Sequence, residues 1–165
     1  MKNYTKKLYC KFAKGFFFFM AITLVFSCKP TAYKNSKLQK NISFEVLLSN
    51  SQSNIVKQKN VILQTSEELK QIFNSINATR TPHIPIPKVD FKTEIVAFIN
   101  IGETSTGGHS VAVKEIIEKE NTLVVFYEGN SPKPGENATM VITTPFTMVK
   151  FKKQPKSIIF KRVVK

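Results

Sequence analysis

Only one segment of this chain carries the spacing of a helix, and that constrains the fold more than any other feature. In "TSEELKQIFNSIN", Leu69, Ile72, Phe73 and Ile76 recur at i, i+3, i+4 and i+7, forming one apolar helical face. Thr65 is placed to cap the helix, and Glu68, three residues on, to reach back to it. Ser66 offers the same capping chemistry, so the start falls at 65 or 66. The remaining apolar signal has strand form. "EIVAFINI" (94–101) and "LVVFY" (123–127) are nearly continuous apolar runs, the pattern of strands covered on both faces. Residues 42–46, 111–114, 138–143 and 147–151 alternate with period two, and "SIIFKRVV" supplies a last strand. A strand within 55–63 is expected to pair with the first as a hairpin, and "KEN" (119–121) to form a tight turn. Pro82, Pro85 and Pro87 make the stretch after the helix an irregular, extended connection. A chain with one helix must bury its apolar residues in sheets. The expected fold is mainly β (α+β), an antiparallel sheet or β-sandwich of about eight strands with one amphipathic helix against it.

The first 27 residues have a different character. Lys2, Lys6, Lys7, Lys11 and Lys14 precede an apolar block from Phe16 to Phe26, the layout of an export signal and too short for a membrane-spanning helix. In "LVFSCK", Val25 stands three residues before Cys28 and the small Ser27 directly before it, which resembles a bacterial lipobox. The expectation is cleavage before Cys28, lipidation of its thiol, and a membrane attachment facing the periplasm at the bacterial cell envelope. Residues 28–40 then form a polar tether and 41–165 a single domain. Cys10 leaves with the leader, so no disulfide or cysteine-based metal site is expected. Removing the five lysines of the leader reduces the formal charge from +14 to about +9. The remaining lysines are scattered, without the clustering that nucleic acid requires, so no nucleic-acid partner is expected.

Three of the six glycines fall in "GETSTGGHS" (102–110). A phosphate loop of the GxxxxGK[ST] type fails because Gly108 stands where the lysine must be, and a strand follows where a helix is needed. A GxSxG nucleophile elbow fails on spacing around Ser105. His83, His109 and Asp90 are available to a serine triad, but their placement singles out none of them. There is no HExxH, and no metal, cofactor or catalytic residue is assigned. An exported hydrolase using His109 with Ser105 or Ser110 is the alternative from another class. What remains is a shaped loop. With 94–101 running up, 109–118 down and 122–128 up again, this loop and the second glycine cluster, "EGNSPKPGEN" (128–137), fall at one end of the sheet.

Thr106-Gly107-Gly108, Ser131-Pro132-x-Pro134-Gly135 and Thr143-x-Pro145-Phe146, in that order within about 61–152, resemble the PrcB C-terminal domain family. His109 stands where that family commonly has an aromatic residue. The resemblance implies a non-catalytic accessory lipoprotein that binds a protein, with an exported protease as the candidate partner. The contact residues would be Thr106, Gly107, Gly108, His109, Pro132, Lys133, Pro134 and Gly135. A weaker resemblance is to chagasin-type protease inhibitors, which wedge three loops into a cleft. Against that stands the expected strand over 138–143, which would carry Pro145 to the end opposite the glycine loops and leave Pro145 and Phe146 in structural roles.

Overall fold

The structure, a computed structural model, describes residues 39–164. The leader, Cys28 and nearly all of the expected tether lie outside the described residues. Eight strands and one helix follow: β1 (Lys40–Asn41), β2 (Phe44–Asn50), β3 (Lys59–Leu63), α1 (Ser66–Asn77), β4 (Glu94–Asn100), β5 (Ser110–Lys119), β6 (Thr122–Asn130), β7 (Phe146–Lys152) and β8 (Ser157–Arg162). They form two four-stranded sheets, ordered β1-β5-β6-β8 and β2-β7-β4-β3. Every pairing is antiparallel except β6 with β8.

The sheets face each other across one core. Ile95, Ala97, Ile99, Val149 and Phe151 from β4 and β7 pack on Val111, Ile116, Leu123, Val125 and Tyr127 from β5 and β6. Because successive strand residues point to opposite faces, Val96, Phe98, Phe146 and Met148 emerge on the far side of the second sheet. There they meet Leu69, Ile72, Phe73 and Ile76 of α1 in a second core. Burial on both faces accounts for the unbroken apolar run of β4. The helix begins as its sequence requires. Thr65 Oγ1 accepts from the Glu68 amide at 3.2 Å, and Glu68 Oε2 accepts from the Thr65 amide at 3.2 Å, closing a capping box.

Several expectations change. Residues 55–63 do not form a hairpin with β2: β3 pairs with β4, and β2 lies across the sheet against β7. A register shift between Val46 and Leu48 breaks the simple alternation of β2 and leaves Val46 56% exposed. Lys40, at the end of the expected tether, already pairs with Glu118 in β5. The run of β6 is covered less evenly than that of β4. Phe126 is half-buried on the outer face, with the ammonium groups of Lys119 and Lys161 5.7 and 5.9 Å from its ring centre. The expected strand over 138–143 does not form, and only Thr143 makes an isolated bridge, to Thr104. The turn at 119–121 is as expected, with Glu120 at φ 49° linking β5 to β6.

Candidate functional site

Residues 101–109 leave β4 in one sheet and enter β5 in the other, closing one end of the sandwich. Their path is held by hydrogen bonds to two neighbouring segments. Glu103 donates its amide to Val56 O at 2.9 Å, and Thr104 and Thr143 exchange backbone bonds of 2.8 and 3.0 Å. The hydroxyls of those threonines lie 2.7 Å apart, and Thr143 Oγ1 also donates to Thr106 O at 3.2 Å. Gly102, at φ 86°, approaches the backbone of Val56 and Gln58 so closely that an added Cβ would lie 3.1 Å from each. Gly107 is buried, with its amide bound to Thr139 O at 2.9 Å.

The base of this loop contains a residue hidden inside the apolar run of β4. Asn100 is fully buried; its amide donates to Ile55 O and Lys57 O at 2.9 and 3.0 Å, and its Oδ1 accepts from Ser53 Oγ at 3.0 Å. Thr144 Oγ1 accepts from the amides of Ser53 and Asn54 at 2.8 and 3.0 Å. Together these two buried side chains bind residues 53–57 to the loop end.

The second glycine loop is freer. Between Pro132 and Ala138 its main bonds are local: the Lys133 amide donates to Glu136 Oε2 at 2.9 Å and the Glu136 amide to Lys133 O at 3.0 Å. Lys133, Pro134 and Gly135 are exposed, and an added Cβ at Gly135 would meet nothing within 4 Å. Pro132 is half-buried against Gly108, where an added Cβ would lie 2.9 Å from the proline Cγ. The glycine therefore lets the two loops touch. His109 is half-buried, and its Nε2 lies 3.0 Å from Thr106 Oγ1; no bond from this ring to Ser105 or Ser110 is present among the described residues.

A third segment joins them. Residues 138–145 run back beside 104–107, and Ile101 donates its amide to Pro145 O at 3.1 Å. Pro145 thus lies at the same end as the glycine loops, not at the opposite one. Without a strand over 138–143, the chain never crosses the sheet before β7 begins. Val141 donates its amide to Thr139 O at 2.9 Å, closing a three-residue turn with Met140 at its apex. Met140, Val141 and Ile142 are 89%, 49% and 60% exposed, while Thr143 through Phe146 are buried.

The model of the family described as PrcB C-terminal matches residues 95–152. Over this stretch the chain is similar to that family. The PrcB C-terminal match runs from β4 to β7 and includes all three segments gathered at the loop end. No curated protein and no solved structure matches the chain. Met140 to Ile142 were not foreseen as site residues. Their alternation with neighbours imitates a strand, and only the position of Pro145 reveals a surface segment.

Proposed function

We propose that this protein is an exported lipoprotein, attached to the bacterial cell envelope through Cys28, whose PrcB C-terminal domain binds a partner protein as an accessory subunit of a protease complex. The observation that carries the reading is the contact of Gly108 with Pro132, which joins the two glycine loops into one surface. Gly107, being buried, shapes that surface from within. Thr106, Gly108, His109, Pro132, Lys133, Pro134 and Gly135 supply its accessible part. The family match supports an association with a protease complex. The chain acts by binding, without catalysis or a cofactor.

The placement of Pro145 favours a second reading, a protease inhibitor, because the expected far-end location was the geometric objection to three loops entering one cleft. One experiment addresses both. Tagged full-length lipoprotein is recovered from solubilised envelopes beside a variant carrying His109→Ala and Lys133→Ala. Loss of about 1–2 kcal/mol of binding, with an unchanged Tm, is expected at an interface of this kind. Equal recovery of the same partners by both forms would refute the loop surface. If a protease is recovered, sustained activity in the pair identifies an accessory subunit, and suppressed activity an inhibitor.

A further inference from the structure

We infer that Met140, Val141 and Ile142 are the anchor of the protein interface, and that the partner offers them an apolar, uncharged concavity. The inference rests on the partner-binding reading above and deepens it. These side chains lie at and beside the apex of the three-residue turn, with Met140 89% exposed. Exposed apolar residues are ordinary when scattered, but a contiguous group on a shaped protrusion marks an interaction site. This group is also held in place. Thr139 O accepts from both Gly107 and Val141, and the Thr104–Thr143 bridge pins the returning chain. A tip built this way loses little freedom on docking, which favours affinity.

Charge and shape choose among the occupants. The segments 101–109, 131–137 and 138–145 contain one lysine, Lys133, against two glutamates, Glu103 and Glu136, in a chain whose formal charge without the leader is about +9. A surface meant for anionic lipid would concentrate cations around its apolar tip; the tip segment 138–145 carries none. The described chain also enters at the other end of the sandwich, where Lys40 pairs with Glu118, while the tip sits by Ser110 and Asn130. An anchor on Cys28 would therefore join the domain at the end away from the tip. A second copy is disfavoured because two convex tips meet over little area, and three side chains supply far less than the ~800 Å² per partner of a stable interface. A concave pocket buries the tip completely and brings the flanking glycine loops into contact at its rim, the arrangement of a central anchor with surrounding contacts.

The test places the photo-crosslinker p-benzoylphenylalanine singly at Met140, Ile142, Lys133 or Val46 of the full-length chain, expressed in its own cells. Val46 is a comparably exposed apolar residue on β2, away from the loops. The expected result is one adduct, with the same protein, from Met140 and Ile142 but not Val46, joined at a peptide of that protein without charged residues. Changing Met140→Ser and Ile142→Ser together should then lower the yield of the Lys133 adduct by about tenfold or more. An adduct of twice the chain's mass, an adduct with lipid, or attachment to a charged peptide overturns the inference. An adduct from Lys133 with none from Met140 or Ile142 overturns it too, while leaving the loop reading intact. No adduct from any loop position overturns both.

Discussion

Gly102 and Gly135 have the same backbone angle, φ 86°, and lie in the two loops at one end of the sandwich, yet their surroundings are opposite. Around Gly102 the backbone of another segment closes to within contact distance; around Gly135 there is open space. Their loops differ in the same way. Residues 101–109 are tied to Val56 and to 139–145 by backbone bonds, whereas 131–137 are held mainly by their own turn and by Pro132 resting on Gly108. One glycine admits a neighbour and the other only lets the chain turn. Composition makes these loops look alike, but only one is built into the body of the domain.

The most damaging change to the tied loop should be at its base. Asn100→Ala removes the partner of Ser53 Oγ and of two carbonyls, so a loss of about 3 kcal/mol or more is expected in chemical denaturation. A loss below about 1 kcal/mol would show that the tie matters little. Next come the glycines themselves. Gly102→Ala and Gly135→Ala share the strain of a left-handed alanine, about 1–2 kcal/mol. Only the first adds a collision with fixed backbone, so it should cost about 1–3 kcal/mol more. Equal losses in the two variants would remove the distinction between the loops.

The smallest effect contrasts the loop end with the opposite end. There Lys156 donates to Glu118 Oε1 at 2.6 Å, which holds the Glu118 carboxyl below its ordinary range, with Lys40 adding to the effect and desolvation opposing it. A depressed carboxylate contributes stability above its unfolded pKa and loses it as pH falls through the folded value. The Tm of Lys156→Met should therefore lie slightly below the wild type at neutral pH, and the gap should narrow as pH falls below the ordinary carboxylate range, leaving the part due to the Lys156 bond to Glu120 O, which does not titrate. Amide exchange in 101–109 should not change with that substitution.

The helix and most strands were legible because each carries its own periodicity: the capping pair Thr65 and Glu68 marks the helix start, and the unbroken run of β4 reflects two covered faces. Pairing was harder to read. Hydropathy says which face of a strand is buried but not which strand lies beside it, so neither the β3–β4 pairing nor the parallel β6–β8 pairing could be inferred. Residues 138–143 show the same limit in reverse, since alternation alone does not secure a neighbouring strand. Asn100 was hidden for another reason. Its partners, Ser53, Ile55 and Lys57, come from a remote segment with no periodicity of its own.

The short strand β1 gives the domain a mechanical property. Only Lys40 and Asn41 pair with β5, followed by the Ile42 amide on Ile116 O at 2.8 Å, before the chain crosses to the seven-residue β2. A pull on the chain ahead of Lys40 loads that small patch first. Its release frees about 10 Å of chain while β2 keeps its grip on β7. A weak first link of this kind extends reach under tension and spares the rest of the sandwich.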